Sequence, residues 1–351
     1  MCKWNHVCAA VASLWLGCTA VAAPASTEVS GVIERVGVVS GTRVDIAVFN
    51  RNGLCHESGS ELRFHAASIT KLFTATVVLQ LRDEGRLSLR DPVSKFVPEF
   101  AGSSILIEQL LTHTSGLRDR KRANGRATRA QWDTYIHELS TERLASAPGT
   151  QWAYADAGFN LLGRVIENVA GKDYAMAVTE RVLEPLDMSA SVFDLAKVPD
   201  AQRVVGTDKR GRALANPWDL AFLPSSGLQT DARDLARFGR EILSIEAGPT
   251  APGVLRSETL REMTATRVAT EWNGVSQGYG WQLAKQGSTL IWRHAGGEGG
   301  FESLLALYPT EGFGIVVMGS RENWPRFELA SALANEVRSG GLCAPSARAS
   351  H

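Results

Sequence analysis

The chain has 351 residues, 44% hydrophobic and 21% charged, with 37 basic side chains against 37 acidic ones and a formal net charge of zero. Such a composition supports a sizeable buried core and excludes disordered, collagen-like and low-complexity classes. Balanced charge provides no general field for nucleic acid or an anionic membrane surface, which leaves small neutral or zwitterionic molecules as the expected partners.

Residues 1–23 hold one lysine, an apolar run from Val7 to Val21 and small residues at Ala20, Ala22 and Ala23. This pattern predicts a signal peptide cleaved near Ala22 or Ala23, and therefore a periplasmic or secreted protein without a stable membrane span. Cys18, in the triplet Leu16 to Cys18, offers lipidation as a minor alternative, although Trp15 stands where such signals usually carry leucine. Once the leader is removed, Cys55 and Cys343 remain. A bridge between them and two free thiols are both compatible with an exported chain.

In the mature chain, Val29, Val32, Ile33 and Val36 recur at helical spacing, and VDIAVFN, RNG and LCHESG read as strand, turn and strand. A long helix over about 65–85 follows, closed by Gly85. From 86 to about 240 the patterns are mainly helical; one helix, beginning at Ala157, puts Phe159, Leu162, Ile166 and Val169 on one face and stops at Gly171. From about 275 the pattern changes to strands, and a last helix runs near 325–337. Strands at both chain ends with helices between them predict an α/β (α+β) fold, with one antiparallel sheet built from both ends, flanked by helices, and an inserted all-helical lobe. In this reading a single domain spans 24–343. Its sheet lobe takes about 28–84 and 241–343, its helical lobe about 85–240, and the site lies between them. Residues 344–351 form a tail.

Within HAASITKLFTATVVLQLRDEG, Lys71 interrupts an otherwise apolar helix start. Ser68 and Lys71 are three residues apart, so their side chains share one face, a nucleophile beside a base. Unpaired N–H groups and the positive end of the helix dipole favour an oxyanion there. Burial would lower the lysine pKa toward a value useful for taking a proton, unless a carboxylate partner restores it. The spacing alone recurs by chance in a chain of this length, and a lysine that snorkels to water or pairs with an acid is the plain alternative. Against that stand Ile69, Leu72, Phe73, Val77 and Val78, which leave little of the helix for water.

Over roughly residues 40–325 the chain resembles the penicillin-recognising serine hydrolases, on the branch of class C β-lactamases, DD-carboxypeptidases and esterases with a β-lactamase fold. SITK, LLTHTSGL (110–117), PGTQWAYADAGFNLLG (148–163), GLQTDARDLARFG (227–239) and HAGGEGGF (294–301) carry the likeness by their order and spacing. The resemblance implies an acyl-enzyme mechanism in which Ser68 attacks a carbonyl, Lys71 and Tyr154 share the proton, and water then releases the acyl group. It implies an oxyanion hole from the backbone N–H groups of Ser68 and Gly297. His294 and Gly296 match the strand element beside the cleft; His294 would polarise the substrate or meet an anionic group, with a charge that varies near neutral pH. His113 is expected to brace a turn. The chain lacks the SDN element of class A enzymes, so Tyr154 is the expected activator of the deacylating water.

Two positions depart from the family pattern. Asp156 replaces an asparagine that would donate to an acylamino carbonyl, and an ionised aspartate only accepts; it also reads as the N-cap of the helix from Ala157. Ala295 replaces a threonine hydroxyl, and Arg293 on the opposite face of the strand cannot substitute for it. With these donors missing, the sequence leans toward an esterase-like hydrolase. The alternatives are a β-lactamase, a DD-carboxypeptidase or D-amino-acid peptidase, and a penicillin-binding sensor that does not turn over. A GxSxG match at Gly274–Gly278 lacks a buried strand before it and a helix after it, which rules out Ser276 as an elbow nucleophile. No HExxH, paired CxxC or phosphate-binding glycine loop is present, so neither a metal nor an organic cofactor is expected.

Overall fold

A computed structural model describes residues 25–119, 128–216, 219–248 and 253–343. Residues 1–23, read above as a signal peptide, with Cys18 among them, and the 344–351 tail lie outside the described residues. The strands are β1 (Val44–Asn50), β2 (Gly53–Glu57), β3 (Phe64–His65), β4 (Gln229–Thr230), β5 (Val268–Ala269), β6 (Val275–Gln277), β7 (Gln282–Gln286), β8 (Thr289–Glu298), β9 (Phe301–Tyr308) and β10 (Phe313–Gly319). The helices are α1 (Ala25–Val36), α2 (Thr70–Asp83), α3 (Ile107–Leu111), α4 (Arg129–Thr141), α5 (Asp156–Ala170), α6 (Tyr174–Val178), α7 (Leu223–Ser226), α8 (Ala232–Ala247), α9 (Ser257–Met263) and α10 (Arg326–Ser339).

Eight strands form one antiparallel sheet in the order β2-β1-β10-β9-β8-β7-β6-β5, so its middle joins the first strands of the chain to the last. Both faces are covered, and the period of two sorts the side chains between them. Ala47 and Phe49 of β1, Leu305 and Leu307 of β9, and Val316 and Met318 of β10 join the larger core beneath α2, α5 and α8. Their neighbours Ile46, Val48, Leu304, Ala306, Ile315 and Val317 join a second core closed by Val29 and Val32 of α1 and Leu329 and Leu333 of α10. The helix α8, which the sequence pattern groups with the helical lobe, packs directly on β1, β9 and β10. Cys55 of β2 and Cys343 beyond α10 form a disulfide, which resolves the choice between bridge and free thiols. Ser276 lies in the short strand β6 between β5 and β7, with no helix after it.

The cleft opens where pairing on one side of β8 stops. β7 partners β8 only as far as Gln282 opposite Arg293, leaving residues 294–298 paired on the β9 side alone. Gly299 (φ +56°) and Gly300 (φ +80°) close the β8–β9 hairpin with the two positive φ values that a tight two-residue turn requires. In such a hairpin the closing pair, Glu298 and Phe301, is hydrogen-bonded, so the next residue, Gly297, turns its N–H away from β9 and toward the cleft.

Candidate active site

The predicted long helix begins as a strained turn. Ala67–Ile69 makes a single tight helical turn before α2, and Ala67 has φ +49°, the left-handed region that a residue with a Cβ rarely adopts. Such a conformation costs on the order of 1–3 kcal/mol and persists only where its surroundings enforce it. Here Thr70 Oγ1 donates to Ala67 O at 2.7 Å, Ala66 N–H donates to Leu228 O at 2.9 Å, and Ser303 Oγ donates to Ala66 O at 2.9 Å. Every residue from Phe64 to Leu79 is buried except Ser68. The strained turn therefore singles out one hydroxyl for access.

Lys71 is fully buried. Its Nζ donates to Asp156 Oδ1 at 2.6 Å, to Ser225 O at 3.0 Å and to Ser68 Oγ at 3.1 Å, and lies over the rings of Tyr154 (4.9 Å) and Phe159 (5.7 Å). Burial alone would depress the pKa of this amine. The Asp156 carboxylate and Tyr154 outweigh burial and hold it above the ordinary lysine range, so Lys71 is an ammonium. The Tyr154 hydroxyl is directed toward Lys71 and Ser68, and burial raises its pKa, leaving it a neutral phenol.

Tyr154 is held on several sides. The His113 ring stacks on it with centroids 4.4 Å apart, His113 Nδ1 accepts the Ala155 N–H at 3.2 Å, and His113 O accepts the Ala153 N–H at 2.9 Å. The imidazole is thus fixed as the Nε2–H tautomer, and burial followed by the nearby Lys71 charge keeps it neutral, well below its usual pKa. Trp272, 36% exposed, lies 5.7 Å from the Tyr154 ring and packs edge-on against Trp152 at 4.8 Å. These tryptophans give the cleft an aromatic rim.

Asp156 is the first residue of α5 and is preceded by Ala155, so it is not the N-cap that the sequence suggests. Asp119 takes that task, with Oδ1 accepting the Ala157 N–H at 2.9 Å. Asp156 is freed to pair with Lys71, and its side chain keeps 26% exposure toward the cleft. Burial, and then the Asp156 charge, raise the Asp119 pKa. No local pattern in LRDR singles out Asp119, and Ser225 contributes only a carbonyl, so neither carries a signal in the sequence.

The strand element differs from expectation. His294 is fully buried, its Nδ1–H donates to Ala295 O at 2.9 Å, and its Nε2 has no partner among the described residues. Burial and the Lys71 charge lower its pKa to about 3, so the expected change of charge near neutral pH does not occur. A Cβ on Gly296 would lie 2.3 Å from Ala66 O and 2.4 Å from Ser303 Oγ. Gly296 therefore lets β8 approach the nucleophile turn rather than lining the opening; Gly297, with nothing within 4 Å of its Cβ position, borders open space. Arg293 sits on the opposite face, its guanidinium 5.1 Å over Phe327 of α10. Among the described residues, no group of three or more His, Cys, Asp or Glu side chains is placed to hold a metal, and no helix is long and apolar enough to cross a membrane.

A family model described as beta-lactamase matches residues 47–338, a span that contains all of these groups. The chain belongs to the beta-lactamase family. It is 30% identical over 289 residues to the D-alanyl-D-alanine-carboxypeptidase/endopeptidase AmpH of Escherichia coli K12, covering 77% of this chain and 74% of that protein. The octameric penicillin-binding protein homologue from Pyrococcus abyssi shares its fold with TM-score 0.75 and 22% identity, covering 90% of this chain and 76% of that one. The D-alanine carboxypeptidase AmpC from Burkholderia cenocepacia gives TM-score 0.72 and 20% identity over 90% of this chain and 97% of the other. The protein is thus a beta-lactamase-family serine hydrolase with the β-lactamase/transpeptidase fold.

Proposed function

We propose that this beta-lactamase-family protein is exported to the periplasm or beyond and cleaves simple esters or amides through an acyl-enzyme on Ser68. The observation that carries this reading is the isolation of Ser68: it is the one accessible residue in the buried run Phe64–Leu79, with Oγ 3.1 Å from Lys71 Nζ and Tyr154 beside it. Ser68 attacks the substrate carbonyl while its proton leaves toward the Lys71 side. The backbone N–H groups of Ser68 and Gly297 receive the oxyanion, and Tyr154, a neutral phenol, orients the deacylating water rather than deprotonating it. Export rests on the pattern of residues 1–23.

Esterase-like specificity is supported by what surrounds the nucleophile. Asp156 neutralises Lys71, Ala295 offers no hydroxyl, His294 is uncharged, and Arg293 faces α10. A substrate carboxylate finds no free cation among these groups, whereas a neutral or amine-bearing acyl group meets acceptors. The activity named for the Escherichia coli relative favours a second reading, D-alanyl-D-alanine carboxypeptidase. The mature protein and Ser68→Ala are to be incubated with a p-nitrophenyl acyl ester, a chromogenic cephalosporin and a D-Ala-D-Ala peptide, with product release and intact mass followed together. The expected result is steady ester turnover, weaker activity on the other two substrates, and loss of all three in the variant. Preference for the peptide or cephalosporin overturns the esterase assignment, a stable adduct without turnover indicates a sensor, and full activity in Ser68→Ala removes Ser68 from the chemistry.

A further inference from the structure

Lys71 has four polar neighbours, and they make unequal demands. Ser225 O at 3.0 Å and Asp156 Oδ1 at 2.6 Å can only accept, so two of its N–H bonds are committed to them. What remains faces Ser68 Oγ at 3.1 Å and the Tyr154 hydroxyl. With a carboxylate at 2.6 Å the lysine enters the reaction as an ammonium and has no lone pair with which to take the serine proton.

The other titratable groups facing this pocket do not supply a base either. Tyr154, beside the lysine, is a neutral phenol. His113, from the turn after α3, has its Nδ1 lone pair occupied by the Ala155 N–H, and His294, from β8, is neutral and weakly basic. Asp119, from the segment between α3 and α4, accepts the Ala157 N–H, and it acts on Lys71 through its charge rather than through a hydrogen bond. Among the described residues, Asp156 is the one anionic group bonded to the lysine.

We propose that Asp156 is the terminal proton acceptor of acylation, reached through Lys71, so that the lysine finishes the step with as many protons as it began. The Nζ proton directed at Asp156 Oδ1 first moves onto that oxygen, which leaves Lys71 a neutral amine with a free lone pair. As Ser68 Oγ bonds to the substrate carbonyl carbon, the carbonyl electron pair moves onto oxygen and the amine, turned toward Ser68, takes the Oγ–H proton. When the tetrahedral intermediate collapses, the same path runs backward: Lys71 protonates the leaving alkoxide or amine, and Asp156 then returns its proton to the amine, so that ammonium and carboxylate are restored. An asparagine at this position could not take the proton, so the aspartate would change the acid–base route as well as substrate recognition. The inference rests on Ser68 being the nucleophile.

The test uses the mature protein, Asp156→Asn and Asp156→Glu with a p-nitrophenyl ester, measuring kcat/KM against pH and its proton inventory in mixtures of H2O and D2O. The expected wild-type inventory is curved, because two protons have changed place by the time the transition state is reached. In Asp156→Asn it becomes linear, and the ascending limb moves up by about one pH unit or more, because the buried lysine must then act as the base itself. Asp156→Glu should restore the curved inventory. A linear wild-type inventory overturns the relay without reference to any variant, and so does an Asp156→Asn profile that overlays the wild type. If Ser68→Ala retains turnover, the Ser68 reading fails; if Ser68→Ala is inactive and Asp156→Asn is unchanged, only the relay fails.

Discussion

Two aspartates in this molecule are placed against charge in opposite ways. Asp45 on β1 is 3% exposed; its Oδ2 accepts the Ala232 N–H at the start of α8 at 2.8 Å, and its charged neighbours are the acids Asp231 and Glu57. Asp156 sits 2.6 Å from an ammonium and keeps 26% of its side chain open to the cleft. Burial first, with the two acids adding to it, raises the Asp45 pKa to about 7 despite the opposing N–H groups of Ala232 and Ile46. A strongly perturbed carboxyl thus does not by itself mark a reactive site. The combination that does so here is an opposite charge, a nucleophile within reach and an opening to solvent, whereas Asp45 is buried and, among the described residues, forms no ion pair of its own.

The comparison breaks most directly at Lys71. Lys71→Met should lower ester kcat/KM by about 10³-fold or more, since it removes both the group that receives the serine proton and the partner of Asp156. A loss below about tenfold would make that ion pair structural, as the Asp45 contact is.

Asp45→Asn probes the other side. The native pKa of about 7 lies above the ordinary 3.8, so the folded protein holds a proton there that the unfolded chain has lost. The stability this provides is complete below pH 3.8 and is lost as pH rises through 7; the shift corresponds to something on the order of 4 kcal/mol. Asparagine does not ionise, so the variant should gain stability to urea at pH 8, gain little at pH 4 and hydrolyse ester at the wild-type rate. An equal gain at both pH values would mean that Asp45 is not proton-linked. Close by, Cys55 ties β2 to the end of the chain. Cys343→Ser should cost about 2–5 kcal/mol and leave kcat unchanged, which calorimetry with and without reductant measures. A fall in kcat with little change in Tm would link this edge of the sheet to the cleft.

What the sequence exposes divides along the same lines. The hairpin, the long helix with its lysine, the strand-rich C-terminal part and the last helix were legible because their apolar periods are strong. Ser68, Lys71 and Tyr154 stood out through their motifs, and the structure brings their side chains together. Three features were not legible, each for a physical reason. Ala67 is not a residue type that announces a positive φ, and its strain is imposed from Thr70, Leu228 and Ser303. Asp119 takes the capping role from Asp156 across 38 residues of chain, a long-range choice that local pattern cannot contain. The charge of His294 depends on complete burial beside an ammonium, and neither is written in HAGG.

His294 supplies the smallest effect and the sharpest check on the electrostatics of the cleft. Its pKa is depressed from 6.5 to about 3, so folding favours the neutral ring; the contribution to stability is present above pH 6.5 and is lost as pH falls toward 3. Between pH 7 and pH 5.5 that amounts to about 1 kcal/mol, because only the first part of the interval is traversed. His294→Gln should remove this slope, so the stability difference between wild type and variant should change by about that amount between the two pH values. In the wild type, the 15N resonances of this ring should keep the Nδ1–H pattern without titrating between pH 8 and 5, because Nδ1–H donates to Ala295 O and Lys71 opposes a second charge. A midpoint near 6.5 would show that water reaches the ring and screens Lys71. The cleft would then meet substrate with a cation at neutral pH, and carboxylate-bearing peptides and cephalosporins would regain the advantage over simple esters.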